Sequence, residues 1–327
     1  MNQHTSPTNL SRRALLARGG TCIAATVVAP VAAMAEGSAP EPPAAPEARP
    51  FRLCLNTATI RGHKLPITEE VEITAKAGYD GIEPWIDGIN RYVEAGGSLA
   101  ELKKRIADLG LLVEGVIGFP NWGVDDPDKR AAGLEQMRRE MELARAIGCT
   151  RIAAPPAGLW GVEGVDLRRL AERYHAVLEL GEQTGVLPQL EIWGSSKTLS
   201  TLSEAIFVAV ETGRPDACLL LDAYHLFRGG SGFATLGLLN GAAMHVFHIN
   251  DYPAEPEREK MTDAHRLLPG DGVGPLPEML RDMHAAGFRG AMSLELFNRE
   301  LWEKDPLEVA KLGREKTEAV IAAALAN

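Results

Sequence analysis

The strongest constraint on the fold is a repeated alternation of short apolar segments with longer amphipathic ones. Eight short segments are rich in apolar and β-branched residues and are bounded by turn residues, which is typical of buried strands. The predicted strands are 51–56, 81–85, 111–117, 151–154, 187–192, 217–222, 244–249 and 290–296. The predicted helices are 68–77, 99–109, 128–147, 166–184, 199–212, 233–239, 275–286 and 306–325. Strict alternation requires parallel pairing with right-handed crossovers, so the sequence predicts an α/β fold.

Glycines mark the end of each repeating unit. Six of them follow a predicted helix and precede the next strand, where a residue without Cβ most easily adopts the left-handed conformation: Gly78, Gly110, Gly148, Gly185, Gly213 and Gly287. Eight such units close into a barrel more readily than they spread into an open sheet. An open doubly wound sheet would usually carry a glycine-rich phosphate loop after an early strand, and this sequence has none. We therefore predict a single (β/α)8 TIM barrel over residues 51–327.

The first fifty residues are predicted to lie outside the barrel. Residues 11–16 read Ser-Arg-Arg-Ala-Leu-Leu, and an uncharged stretch over 19–34 leads to the small-residue site Ala33-Met34-Ala35. This order is typical of a twin-arginine export signal, which we assign to residues 1–35, followed by a disordered Pro/Ala-rich linker over 36–50. We expect a periplasmic or otherwise exported protein. A membrane anchor is the alternative, but the run is short for the ~20 residues of a span, and no stable membrane association is expected after cleavage.

Charge and cysteine content exclude some partners and cofactors. The formal net charge is −10, and no basic cluster occurs outside the signal, which argues against a nucleic-acid partner. Cys54, Cys149 and Cys218 lie in or beside apolar runs, are odd in number and form no CxxC motif. Buried thiols are therefore expected rather than disulfides or a zinc cluster. The sequence leaves a homo-oligomer open.

Four acidic or imidazole side chains lie at the ends of the last four predicted strands. They are Glu191 in LPQLEIW, Asp222 in ACLLLDAYH, His248 in MHVFHIND and Glu295 in AMSLELF. Any one of them alone could be a helix cap or a salt-bridge partner. The carboxyl ends of parallel barrel strands meet at one rim, however, so four ligand-type groups converge there. Three carboxylates and one imidazole suit one hard or borderline divalent ion, and we expect Mn²⁺, with Mg²⁺, Co²⁺ or Zn²⁺ as alternatives.

The segments LEIWG, LLLDAYH, HVFHIND, PGDGVGPL and GAMSLELF together resemble the xylose-isomerase-like TIM-barrel superfamily. Within it the sequence is most similar to inosose isomerases, hydroxypyruvate isomerases and ketose 3-epimerases. The resemblance covers about residues 51–321 and is strongest after Leu187. It implies a single divalent metal held by Glu191, Asp222, His248 and Glu295. It also implies that His225, in the DxxH pattern after Asp222, and Arg266, before the PGDG segment, contact the substrate.

The resemblance further implies an isomerase or epimerase of a small keto-sugar or inosose. Removal of the proton beside a ketone gives a metal-bound enediolate, and the metal stabilises its negative charge. Glu191 and Glu295 would each exchange a proton, one removing it and the other delivering it. Delivery to the same carbon inverts that carbon, whereas delivery to its neighbour moves the carbonyl. Export makes an unphosphorylated carbohydrate-like substrate the expected one.

Two other functions remain open at this point. The same enediolate beside a good leaving group would expel that group, which gives a lyase or dehydratase of the 3-keto-glycoside or dehydroshikimate type. The chain could also be a non-catalytic exported sugar-binding protein, although two opposed proton-transfer carboxylates are not needed for binding alone. A second set of carboxylates is absent, so hydride shift between two metals is disfavoured, as are three-metal nucleases of the superfamily.

Three further residues are candidate substrate contacts. Glu83 ends the second strand in GIEPW, His63 lies in the first βα loop, and Asp251 follows His248 by three residues. Each has a structural alternative, and Asp251 could instead orient His248. Trp122, Trp160 and Trp193 fall in or beside predicted upper loops, where aromatic faces could pack against sugar C–H surfaces or simply anchor the loops.

Overall fold

The computed structural model of the protein describes residues 49–326. The predicted export signal, and the predicted linker except for its last two residues, lie outside this part of the chain. Over the described residues, no helix is both long and apolar enough to cross a membrane. Cys54, Cys149 and Cys218 are free and buried, as the sequence predicts.

Eight parallel strands form the central sheet. They are β1 (Arg52–Asn56), β2 (Gly81–Glu83), β3 (Leu112–Val113), β4 (Arg151–Ala154), β5 (Leu187–Glu191), β6 (Leu219–Asp222), β7 (Met244–Ile249) and β8 (Ala291–Leu294). Their spatial order is β3-β2-β1-β8-β7-β6-β5-β4, in which every ladder is parallel. A parallel bridge between Val116 and Ile152 joins the two ends of this order. The predicted TIM barrel is thereby confirmed.

The helices surround this sheet in the alternating order that the sequence predicts. They are α1 (Ile67–Lys76), α2 (Ile86–Glu94), α3 (Leu99–Asp108), α4 (Pro127–Ala146), α5 (Leu167–Thr184), α6 (Leu202–Glu211), α7 (Ala223–Gly229), α8 (Leu276–Ala285) and α9 (Pro306–Leu325). All six glycines assigned to the ends of units have positive φ, as predicted. The large apolar core lies between the helices and the sheet.

Four elements differ clearly from the sequence prediction. Helices α2 and α7 were not predicted, and residues 233–239 form a 3-10 helix at Phe233–Leu238 instead of an α-helix. Helix α7 has only seven residues, and its first four are all buried, so it shows no amphipathic period. Strand β3 is shorter than predicted because the chain leaves the regular ladder near Gly115. A Cβ at Gly115 would lie 2.5 Å from Glu83 Oε1, so the backbone approaches that buried carboxylate closely.

Candidate functional site

The interior of the barrel is built in two layers by the alternation of side chains along each strand. Residues two apart face the same side, so Leu220 and Asp222 share a face of β6, and Val246 and His248 share a face of β7. Leu220 and Val246 belong to a small apolar cluster separate from the main core. The layer above them, at the carboxyl ends of the strands, is polar and buried. The strand-end residues therefore form one buried polar layer above the apolar cluster inside the barrel, which we call the apolar floor.

Asp222, His248 and Glu295 converge in this layer. One ligand atom from each lies within 4.8 Å of the others, and all three residues are buried. His248 Nδ1 lies 3.2 Å from Glu295 Oε2 and 3.8 Å from Asp222 Oδ2. This nitrogen has no hydrogen-bond partner among the described residues. A buried, unpartnered imidazole nitrogen facing two carboxylate oxygens fits a divalent cation such as Mn²⁺ or Zn²⁺.

Glu191 lies beside this trio but is not part of its converging atoms. It is 3% exposed, its Oε1 accepts a hydrogen bond from Trp193 Nε1 at 3.2 Å, and its buried Oε2 has no partner among the described residues. Burial raises the pKa of Glu191 to about 8, with a further increase from Glu295 and a partial offset from His248. Glu191 therefore favours the protonated form at neutral pH.

Glu295 has the opposite tendency. Burial would raise its pKa, but His248 and Arg266 lower the pKa of this carboxyl well below its ordinary value. The matching effect on His248 is a pKa raised well above its usual value, because Glu295 and Glu83 outweigh the cost of burying its charge. Two carboxyls in one site whose pKa values move apart are the arrangement expected of an acid and a base.

Arg266 covers the carboxylates of the trio. It is 1% exposed, and its Nη1 donates to Asp222 Oδ2 at 2.9 Å and to Glu295 Oε2 at 2.8 Å. Its Nη2 donates to Asp263 Oδ1 at 2.7 Å and lies 3.0 Å from His225 Nε2. Burial and the nearby guanidinium lower the pKa of His225, which favours a neutral ring. Two of the five predicted substrate contacts, Arg266 and His225, thus lie beside the trio.

Glu83 does not reach the pocket wall, contrary to the sequence prediction. Its carboxylate is fully buried, and its Oε2 is shared by three donors: His248 Nε2 at 3.0 Å, Asn56 Nδ2 at 3.0 Å and Ser293 Oγ at 2.7 Å. The sequence correctly predicted that Glu83 lies at the carboxyl end of β2, but it did not predict which way the carboxylate points. Glu83 contacts His248 on the ring nitrogen that faces away from the trio.

Asp251 does not line the cavity, and its carboxylate makes no hydrogen bond to His248 within the described residues. Its two oxygens accept from the backbone N–H groups of Tyr252, Gly270, Gly272 and Gly274 at 2.8–3.0 Å. It therefore fixes the loop that carries the PGDGVG segment. This loop follows Arg266, so Asp251 supports the site only through the backbone.

His63, a predicted substrate contact, ends a 3-10 helix at Thr57–His63 and is not among the residues that line the cavity beside the trio. Its Nδ1 is 3.0 Å from the carbonyl oxygen of Ile60, and its Nε2 is 2.7 Å from that of Lys304. Both ring nitrogens are thus occupied by backbone carbonyls. The ring joins the first βα loop to the segment before α9.

A cavity of about 260 Å³ opens beside the trio. Its polar side is formed by Glu191, His225, Asp263, Arg266 and Glu295. Its other side is aromatic and is formed by Trp85, Phe119, Trp160, Trp193 and Phe297. The volume is slightly below the ~300–1,000 Å³ typical of small-molecule sites. Sequence reasoning named Trp160 and Trp193 as loop aromatics, but it missed Asp263, Trp85, Phe119 and Phe297.

Comparison with known proteins places this geometry in context. The family model for the xylose isomerase-like TIM barrel matches residues 71–319. An inosose isomerase from Bacillus velezensis is 27% identical over 284 residues, which cover 83% of this chain and 97% of the relative. A 3-dehydroshikimate dehydratase from Pseudomonas aeruginosa is 26% identical over 239 residues, or 71% of this chain and 36% of the relative. The solved structure of the IolI protein with a bound zinc atom has a TM-score of 0.78 at 22% identity and covers 85% of this chain and all of its own.

Proposed function

The chain belongs to the family of xylose isomerase-like TIM barrels, and from that premise we propose that it is a divalent-metal-dependent isomerase or epimerase of a small unphosphorylated keto-sugar or inosose. The observation that carries the proposal is the convergence of ligand atoms from Asp222, His248 and Glu295. Glu191 and Glu295 also line one cavity, and the buried Oε2 of Glu191 has no partner within the described part of the chain. The similarity to an inosose isomerase along almost its whole length supports the same reaction class.

Asp222, His248 and Glu295 would hold the metal, with Glu191 as the fourth ligand. Their donor set of carboxylate oxygens and one imidazole nitrogen suits Mn²⁺, our first choice, as well as Mg²⁺, Co²⁺ and Zn²⁺. A bound divalent ion supplies electrophilic stabilisation of the negative charge that develops on the substrate oxygens.

The two carboxyls divide the proton transfer. Glu295 would remove the proton from the carbon next to the substrate carbonyl. Glu191, whose buried Oε2 has no hydrogen-bond partner among the described residues, would return a proton to the resulting enediolate. Return to the same carbon from the other face inverts that carbon, and return to the neighbouring carbon moves the carbonyl. His225 and Arg266 lie beside both acids and orient the substrate hydroxyls.

The charge of the pocket supports an unphosphorylated substrate. Arg266 is the one Lys or Arg side chain that lines the cavity within residues 49–326, and both of its terminal nitrogens are already engaged by carboxylates. Asp263 and Glu295 add negative charge to the lining of the cavity. A phosphate group would find no free cation here, so a neutral polyol-like substrate is favoured.

A metal-dependent lyase is the alternative function, and the 3-dehydroshikimate dehydratase relative favours it. A leaving group next to the enediolate would be expelled before Glu191 returned the proton. The two reactions use the same residues, so the products distinguish them. Isomerisation conserves the substrate mass, whereas elimination releases water or an aglycone.

The test is solvent exchange with Mn²⁺-loaded protein in D₂O, using inososes, unphosphorylated ketoses and keto-glycosides as substrates. We expect deuterium at the carbon next to the carbonyl in a product of otherwise unchanged mass. Glu295→Gln should slow the exchange by about 10²–10⁴-fold, because the amide keeps the shape but cannot accept the proton. Glu300→Gln, an exposed position on the loop that follows β8, is the matched control and should retain the wild-type rate.

The outcomes separate the functions. An unsaturated product or a released aglycone would assign the lyase reaction. Absence of exchange on every substrate class would assign the non-catalytic binding function. Near-normal exchange in Glu295→Gln would remove this residue from the mechanism.

We also propose that the protein is exported by the twin-arginine route. The proposal is supported by Arg12-Arg13, the uncharged stretch after them and the Ala33-Met34-Ala35 site. Replacing both arginines with lysine should keep the protein in the cytoplasm, as measured by fractionation of the producing cells. Unchanged export of that variant would contradict the assignment.

A further inference from the structure

Five aromatic side chains line the cavity, and we call them together the aromatic wall: Trp85, Phe119, Trp160, Trp193 and Phe297. The rings of Phe297 and Trp85 have centroids 5.9 Å apart, those of Trp85 and Phe119 are 5.1 Å apart, and those of Phe119 and Trp193 are 5.7 Å apart. These spacings lie within the range of interacting aromatic pairs. Four rings from separate βα loops therefore support one another, and Trp160 extends the same side of the cavity.

The wall offers ring surface rather than hydrogen bonds. The indole N–H groups of Trp85, Trp160 and Trp193 donate to Asn56 Oδ1 at 2.9 Å, Ser195 Oγ at 3.1 Å and Glu191 Oε1 at 3.2 Å, respectively. All three indole N–H groups thus already donate hydrogen bonds within the protein. A ligand against this wall therefore meets indole rings whose N–H groups are already engaged.

Part of the wall is open to water. Trp160 is 58% exposed and Phe119 is 38% exposed, although both line the cavity that contains the two proposed proton-transfer acids. Covering such apolar surface with an apolar group is favourable, since it removes the surface from water. The opposite side of the cavity is acidic and already suits a hydroxylated ring.

We infer that the aromatic wall is a subsite for a flat aromatic group attached to the sugar, so that the substrate is a keto-sugar or inosose conjugate with an aromatic aglycone. This inference rests on the proposed function for the identity of the reacting ring. A second sugar ring fits the wall less well, because its hydroxyls need donors and acceptors that the wall lacks. An aromatic aglycone needs none and stacks on the exposed rings.

The test measures binding of the aromatic group alone, so it does not depend on turnover. The probe is 4-methylumbelliferone, a planar aromatic alcohol, titrated by calorimetry into the full-length Mn²⁺-loaded protein. We expect saturable one-to-one binding, and we expect Phe119→Ala and Trp160→Ala each to weaken it by about tenfold. Phe207→Ala is the matched control: Phe207 is 37% exposed, similar to Phe119, but it lies on α6 outside the cavity, and its loss should not change the affinity.

Three results would overturn the inference. They are the absence of saturable binding to the wild-type protein, equal affinity in the wild type and both wall variants, and tighter binding of the disaccharide cellobiose with the same sensitivity to the two substitutions. The last result would assign the wall to a second sugar ring. Thermal midpoints of the variants establish that they are folded. If the exchange experiment failed while the probe bound as expected, the proposed reaction would be wrong and the subsite would stand.

Discussion

At the scale of single residues, His248 is held from both ring nitrogens by groups that are far apart in the sequence. Nε2 bonds to Glu83, 165 positions away, and Nδ1 faces the oxygens of Asp222 and Glu295. When the ring is neutral and its proton lies on Nε2, donated to Glu83, the lone pair of Nδ1 is directed at Asp222 and Glu295, as metal binding requires. A carboxylate behind a metal-ligating histidine fixes its tautomer and raises its basicity.

Glu83→Gln tests whether this carboxylate positions His248 for the metal. The amide has the same shape but no negative charge, so we expect Mn²⁺ affinity to fall by about 10–100-fold. The dissociation constant is measured by competition with a chromophoric chelator and needs no substrate. The visible spectrum of the Co²⁺-loaded variant reports any change in the ligand geometry.

Glu140→Gln is the matched control for Glu83→Gln. Glu140 is a buried carboxylate on α4 with an unpartnered Oε2, and it lies outside the trio and the cavity. Its replacement should leave Mn²⁺ affinity unchanged. If both variants bind Mn²⁺ as the wild type does, Glu83 only fills the barrel interior and does not position the histidine.

Individual residues of the site were predictable to different degrees. Asp222, His248 and Glu295 end buried strands, and strand alternation alone turns such residues to the barrel interior. Glu83 also ends a strand, but its partner depends on how β1, β2, β7 and β8 meet in space. Phe119 and Asp263 lie in loops whose direction no local period encodes, so the sequence did not identify them.

Among the helices, the long amphipathic ones were predicted accurately from the sequence, whereas short ones were missed. Helices α4, α5 and α9 are long, and their predicted bounds agree with the structure to within one or two residues. Helix α2 was missed because it has only nine residues and contains Gly88, a poor helix former. Element type follows from periodicity over several turns, and a short buried helix provides too few turns.

The contact between α1 and α2 gives a pH-dependent prediction. Glu70 lies on the buried face of α1 and is 6% exposed. Burial raises its pKa to about 7, although Arg91 and Arg61 partly oppose the increase. The unfolded chain has a pKa near 4.5 at this position, so it releases the proton first as the pH rises. The free energy of unfolding therefore falls between about pH 4.5 and pH 7, by up to about 3 kcal/mol from this group.

Glu70→Gln removes this linkage, since an amide cannot ionise. We expect the variant to unfold with a free energy about 1–3 kcal/mol higher than the wild type at pH 8, and with a nearly equal value at pH 4. Urea titrations at the two pH values measure the difference. Glu69→Gln, at the exposed neighbouring position of α1, should behave as the wild type does at both. A Glu70→Gln variant that gained no stability at pH 8 would mean that Glu70 is solvated when it ionises.

In the molecule as a whole, the residues that stabilise the barrel are different from the residues that form the candidate site. The apolar floor inside the sheet and the large core outside it position the strand ends, and the polar layer above carries the site. The sequence predicted that the site lies at the strand ends, because eight repeated units specify one closed sheet with a common rim. It did not predict the aromatic wall, because several loops must meet before that surface exists.

Metal removal tests the molecule as a whole. Arg266 already pairs with Asp222 and Glu295, so the charge of the trio is partly compensated and the metal-free barrel should remain folded. An ion that binds only the folded state adds about 2.7 kcal/mol at a hundredfold excess over its dissociation constant. For a domain of this size, that corresponds to an increase of roughly 5–10 °C in the thermal midpoint.

Calorimetry of chelator-treated full-length protein before and after addition of Mn²⁺ measures the shift, and Asp222→Asn, which lacks one ligand charge, should lose most of it. If Mn²⁺, Mg²⁺, Co²⁺ and Zn²⁺ all left the midpoint of the wild-type protein unchanged, the converging trio would not be a metal site.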